Sequence, residues 1–228
     1  MRNRLPSFCV SGLFLFAASL CGQDAEEILQ KVQETYQTLN SGQFELRTTA
    51  ITSTGQTESA RETNYVVAFT RPDRILVEIR YPDAGTWVRA SNGQKRTEYR
   101  DISDLYQERA ASPDDLRLLS STPISSYEAI SDGLKSAKIL RSEPVQVNGH
   151  TVDAYVIEVE YDRPSRIAGT ILQPSTFWIG KEHFLVLRHV SGTKSKASES
   201  VNTRTIDYTL AQVNKPIPDA LFVVSRKK

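Results

Sequence analysis

The chain has 228 residues, 28 Lys and Arg against 27 Asp and Glu, and 39% apolar residues. This near-balance carries no basic excess of the kind that gathers nucleic acid or an anionic surface, so no nucleic-acid partner is expected. Its two cysteines, Cys9 and Cys21, both fall in the first 22 residues, which excludes a disulfide, a thiolate nucleophile or a cysteine metal site in the rest of the chain.

Those first 22 residues begin with Arg2 and Arg4 and continue into an apolar run, Phe8 to Leu20, too short to span a bilayer. This is the shape of a signal peptide (1–22). Small residues around Cys21 and Gly22 place the cleavage there, and export to the periplasm is expected. A second reading makes Cys21 a lipidated anchor, although Leu20 before it is larger than the Gly, Ala or Ser such sites prefer. Without Arg2 and Arg4 the remainder has 26 basic residues (28 minus 2) against 27 acidic, a net charge of −1. Residues 23–228 are long enough to bury a core as one domain, since domains of ~150 residues already bury about 70% of their unfolded surface.

From Asp24 to Asn40, Ile28, Leu29, Val32, Tyr36 and Leu39 recur at helical spacing, with acidic residues at the positive end of the dipole. Ser41-Gly42 ends that helix and the period changes to two. Phe44 to Ile51 and Asn64 to Thr70 read as strands joined around Gly55, and Ile75, Val77, Ile79 and Tyr81 alternate with polar residues in a third. Arg71-Pro72-Asp73 and Pro82-Asp83 are turns, and Ser91-Asn92-Gly93 is a tight hairpin signal. Between Pro113 and Ser136 the pattern breaks into two short helices, one opened by Pro113-Asp114-Asp115 and one by Ser125-Ser126 that runs through Tyr127, Ile130 and Leu134. Strands then resume at Ala137–Val147, Thr151–Asp162, Thr176–Ile179, Glu182–Val190 and Ser200–Val213, with an Asn148-Gly149 turn and a polar, mobile loop at Lys194-Ser195-Lys196.

This order gives an α+β fold with one large antiparallel sheet. Val66 to Phe69 and Phe184 to Leu187 are unbroken apolar runs, so the sheet is expected to be dry on both faces there. A curved sheet with helices over its concave side would supply the cover, and a gap in that cover would be an apolar cavity.

Sites for catalysis are scarce. His183 and His189 fall six residues apart on one predicted strand, roughly 20 Å at about 3.3 Å per residue, too far to share a metal. Ser191-Gly192-Thr193-Lys194 has a Ser-x-x-Lys spacing but is predicted in a hairpin loop rather than on a buried helix. Glu158 and Glu160 share a strand face and read as a solvated edge. No glycine-rich phosphate loop, nucleophile elbow or zinc motif occurs. A binding protein rather than an enzyme is expected, with no metal and no cofactor.

The order of helix, strands, Val67 to Ile75 with its Arg71-Pro72 turn, Ser91-Asn92-Gly93 and Tyr99 resembles the periplasmic lipoprotein carrier family, LolA. The closing Ile206-Asp207-Tyr208, Asn214, Ile217-Pro218 and Leu221-Phe222 are similar to that family's last strand. Thr176 to Lys181 resembles the wider set of LolA-like and lipoprotein-sorting domains. The resemblance implies a curved antiparallel sheet forming an unclosed half β-barrel, with the N-terminal helix and the short helices covering its concave face. It implies that acyl chains lie in an apolar cavity, for which the residues read here are Phe44, Leu46, Val67, Phe69, Ile75, Val77, Ile79, Trp87, Trp178 and Val186. Arg71 corresponds to an arginine that clasps the lid through hydrogen bonds to lid backbone. Implied partners are acylated lipoproteins or lipids, and inner- and outer-membrane receptor proteins.

The implied function is a periplasmic carrier moving lipoproteins toward the outer membrane. The alternative is an envelope module that senses lipid or lipoprotein and acts through a protein partner. Position 92 is Asn where the carriers have Asp, and the second half resembles the wider group more than the dedicated carriers, which keeps both functions open.

Overall fold

The computed structural model describes residues 24–165 and 167–225. The signal-peptide segment and both cysteines lie outside the described residues.

Helix α1 (Ala25–Thr38) buries Ala25, Ile28, Leu29, Val32 and Tyr36 on one face, the stripe its helical spacing predicts. Eleven strands follow: β1 (Ser41–Thr54), β2 (Thr57–Thr70), β3 (Arg74–Tyr81), β4 (Gly85–Asn92), β5 (Lys95–Arg100), β6 (Leu105–Ala110), β7 (Leu134–Val147), β8 (His150–Tyr161), β9 (Thr170–Gly180), β10 (Val186–Ser195) and β11 (Val201–Val213). They form one antiparallel sheet in the order β6-β5-β4-β3-β2-β1-β11-β10-β9-β8-β7, with β6 and β7 as unjoined edges, so the barrel is not closed. Only local hairpins and the β1–β11 pairing are needed to build it, because the two halves are meanders on either side of the short helices.

Several sequence expectations change in detail. Strands β5 and β6 extend the first meander beyond the Ser91-Asn92-Gly93 turn. The two short helices are 3₁₀ helices, Pro113–Ser121 and Pro123–Ala129; the second starts at Pro123 rather than at Ser125 and stops before Leu134, which opens β7 instead. Proline at a first helical position needs no N–H partner, which lets both begin abruptly. Lys181 to His183 form the turn after β9, so exposed His183 is not on the strand that carries His189. Ser191 to Ser195 are the end of β10, which moves the Ser-x-x-Lys spacing from a loop onto a strand and starts the polar loop at Lys196.

The sheet is dry on both faces where Val66 to Phe69 predict it. Val67 and Phe69 join the main core under α1, while Ala68 joins Leu76, Val88, Ala90 and Tyr99 on the convex face beneath the C-terminal segment and its buried Phe222. The second apolar run has a different cause. Leu185, Val186 and Leu187 all join the main core, where a bulge between Val186 and Arg188 interrupts the alternation.

Candidate functional site

The concave face is built by alternate residues of neighbouring strands. Phe44 pairs across to Val67, which pairs to Val77; Phe69 pairs to Ile75, and Tyr65 to Ile79. Phe44, Val67, Ile75, Val77 and Val186 are fully buried and Leu46, Phe69 and Ile79 nearly so, all in the cluster that includes the inner face of α1. Above them sit Leu118 and Leu119 of the first lid helix and Ile124, Tyr127 and Ile130 of the second. Most polar residues of Pro113 to Ser136 thus face outward, with Asp115 and Thr122 as buried exceptions, and the lid presents a largely apolar underside.

Trp87 packs against the edge of this cluster and Trp178 belongs to it. Trp87 is half-buried on the concave side, opposite Ile79, where Arg89 and Arg100 each lie 4.2 Å from its ring and Glu98 accepts its indole N–H at 3.1 Å. It ends the apolar surface and begins a polar wall. Trp178 alternates with Phe177, whose ring faces the lid, so Trp178 turns to the convex side and donates to Glu143 near the Arg188–Asp207 ion pair. Its neighbour Phe177 is the concave residue.

Arg71 sits at the mouth between α1 and the second lid helix. Its Nε donates to the Leu39 carbonyl at 2.8 Å, and its Nη2 reaches the Glu128 carboxylate at 3.2 Å. The lid is therefore held through a side chain, where the resemblance implies lid carbonyls. The bond to lid backbone comes from α1, where Gln37 Nε2 donates to the Glu128 carbonyl at 2.7 Å. Gln33 accepts from the Ser131 amide at 3.0 Å, and the Tyr161 hydroxyl donates to the Ile130 carbonyl at 2.9 Å. At the other end of the lid, Arg89 donates to the Ser121 hydroxyl, and Asp115, almost wholly buried, binds Arg96 and Arg109. Nothing local marks Gln33, Gln37 or Tyr161, because each partner is distant in sequence.

Beneath the lid lies an aromatic group that the sequence reading did not assemble: Tyr36, Phe44, Tyr127, Phe177, His189 and Tyr208. Tyr127 is central, with ring centroids 5.1 Å from Tyr36, 6.0 Å from His189 and 6.3 Å from Tyr208. His189 stacks on Phe177 at 4.2 Å. The Tyr36 hydroxyl accepts the Val186 amide left free at the β10 bulge, at 3.2 Å. The Tyr127 and Tyr208 hydroxyls face each other without hydrogen-bond geometry, and with both ring nitrogens of His189 and the hydroxyls of Thr48 and Thr193 they are buried and unpartnered. Desolvation raises the pKa of all three tyrosines, and it pushes the His189 imidazole down to about 3, with further repulsion from Arg204 and Arg163. Buried polar groups of this kind are costly to leave unpaired, and here they gather beneath the lid.

Among the described residues no group of His, Cys, Asp and Glu could hold a metal ion, and no helix is long and apolar enough to cross a membrane.

No family model and no curated protein matches the chain. Among solved structures it is similar to Mycobacterium tuberculosis lipoprotein LppX, at 11% identity over 85% of this chain and 97% of that one, with a TM-score of 0.48. It is similar to a LolA superfamily protein from Nitrosomonas europaea at 15% identity over 88% and 97% of the two chains, with a TM-score of 0.34. A chain of the Pseudomonas aeruginosa MucA/MucB complex matches at 12% identity over 89% of this chain and 61% of its own length, with a TM-score of 0.40. By its own strand order and helix placement, the chain is an unclosed half-barrel, one eleven-stranded antiparallel sheet with helices in its concavity.

Proposed function

We propose that the protein binds the acyl chains of lipoproteins or lipids between its concave face and its lid, without catalysis, and carries them through the periplasm toward the outer membrane. The observation that supports this reading is the boundary between lid and sheet. It is largely apolar, contains buried unpartnered hydroxyls and an unpartnered imidazole, and is fastened at its rim by a few polar contacts.

Entry of a chain requires the lid to give way. An exposed ion pair such as Arg71–Glu128 is worth about 0–1 kcal/mol, so this rim contact is a minor part of what an entering chain displaces, and each methylene it buries returns ~0.8 kcal/mol. Ten methylenes would supply about 8 kcal/mol, a roughly micromolar affinity, and reclosing of the lid subtracts from it and favours release.

A fluorescent fatty acid titrated into the purified protein tests this. Saturable binding is expected, faster in Arg71→Gln, where the rim contact is lost, and abolished in a folded Phe69→Asp variant. No saturable binding, or binding unchanged by Phe69→Asp, would remove the concave face as the site.

A second reading, a sensing module that signals through a protein partner, draws on the outer edge of β7. Fourteen residues long, with Pro144 in it, this strand pairs only with β8 and leaves backbone groups free for an added strand. Recovery of the protein with a stoichiometric acylated lipoprotein in native mass spectrometry would favour the carrier, and an empty protein bound to an envelope partner would favour the sensor.

A further inference from the structure

The concave face changes character along its strands in register. One cross-strand row is Tyr65, Leu46 and Tyr208. Two residues further out, the row is Thr63, Thr48, Ile206, His189 and Phe177. Two residues beyond that, it is Arg61, Ala50, Arg204 and Ser191. The next is Ser59, Thr52, Asn202 and Thr193. Hydrocarbon therefore gives way first to buried hydroxyls and an imidazole, then to two arginines, with steps of about 6.6 Å between rows.

Arg61 and Arg204 stand on either side of Ala50, on strands two apart, so their Cα atoms are separated by roughly 10 Å and the small residue leaves the space between them open. Both are exposed. Arg61 rests on the Tyr81 ring at 5.6 Å, and Arg163, in the turn after β8, rests on Tyr161 at 4.2 Å. Among the described residues none of the three makes an ion pair with a carboxylate. By alternation Arg204 shares the concave side with Ile206 and Tyr208, and its charge acts on Tyr65, Tyr127, Tyr208 and His189. Three arginines of β5 and β6 differ, since Asp115 and Glu98 already bind Arg96, Arg109 and Arg100, while Arg89 of β4 is held by the Ser121 hydroxyl.

We infer that Arg61 and Arg204 form a binding site for a phosphate ester at the mouth of the concavity, with the buried Thr48, Tyr127, Tyr208 and His189 groups meeting the polar linkage between that phosphate and the hydrocarbon inside. This rests on the acyl-binding reading above and names the class of amphiphile, an anionic phospholipid. Two forked guanidiniums without counter-ions repel each other and are relieved by an oxyanion that both can bond.

The test is calorimetric titration of the purified protein, at one ionic strength, with lysophosphatidylglycerol, with monoacylglycerol of the same acyl chain, and with glycerol phosphate. The anionic amphiphile is expected to bind at least about tenfold more tightly than the neutral one. In Arg61→Gln/Arg204→Gln this ratio should fall toward one. Equal binding of both amphiphiles by the wild type, or a preference that survives in the double variant, overturns the phosphate site and leaves acyl binding standing. If neither amphiphile binds but glycerol phosphate does, and the double variant loses it, the arginines serve a free phosphate ester and the acyl reading fails. Binding of none of the three overturns both.

Discussion

Burial under the lid holds the His189 imidazole neutral, at a pKa of about 3 against 6.5 for a free side chain, and Arg204 and Arg163 add repulsion to any positive charge there. The sign of the consequence follows from proton counting. Between those two values the unfolded chain binds a proton that the folded one does not, so stability is present above pH 6.5 and is lost as pH falls toward 3. From about pH 7 to about pH 4.5 the loss from this residue should be about 2–3 kcal/mol. Urea unfolding of wild type and His189→Phe at both pH values checks it: the variant should lose less stability on acidification by about that amount. An equal loss in both proteins would mean that His189 is protonated in the fold. The sequence placed His189 on a strand, but its isolation from water depends on Phe177 and Tyr127, the latter 62 residues away (189 minus 127).

At the scale of elements, Asn148 joins the end of β7 to β11 where β10 does not reach. Its side-chain carbonyl accepts from the Ala211 amide at 2.8 Å, its amide donates to the Ala211 carbonyl at 3.0 Å, and its backbone N–H donates to the Thr209 carbonyl at 3.0 Å. The side chain thus substitutes for one residue of a neighbouring strand. Asn tolerates the φ of +55° needed there, ahead of Gly149 at +78°. Asn148→Ala should destabilise by about 1–3 kcal/mol by leaving partly buried backbone groups unpaired and straining φ. Asn148→Gly removes the strain alone, so a denaturation midpoint still well below wild type would assign the loss to the side-chain bonds, and a wild-type midpoint would deny them. The Asn-Gly pair announced the turn, but the acceptor strand lies 63 residues on and its gap exists only in the assembled sheet.

For the molecule as a whole, stability depends on two covers over one sheet. On the convex side the segment after β11 lays Phe222, nearly inaccessible, over Ala68, Leu76, Val88 and Tyr99, and Arg74 pairs with Asp219 beside it. Phe222→Ala should cost about 3 kcal/mol, read from chemical denaturation, without changing fatty-acid affinity, because the residue lies on the face opposite the lid. A lowered affinity at unchanged stability would instead connect the convex cover to the concave site.

Local pattern settled the amphipathic α1, the period-two strands, the turns at Gly55, Asn92-Gly93 and Asn148-Gly149, and the dryness of Val66 to Phe69, because each depends on residues adjacent in the chain. The concave assignment of Phe44, Leu46, Val67, Phe69, Ile75, Val77, Ile79 and Val186 to one core follows from alternation once a single member is placed. Periodicity could not say which face curves inward, and it could not separate Trp178 from Phe177, since both neighbours are apolar aromatics and only cross-strand register distinguishes them. The clasp at Gln37 and Arg71, the orphan group around Tyr127, and the row that brings Arg61 to Arg204 across Ala50 belong to the tertiary structure alone. Each joins residues from distant parts of the chain, where the closing of the sheet through β1 and β11, rather than any local preference, decides who meets whom.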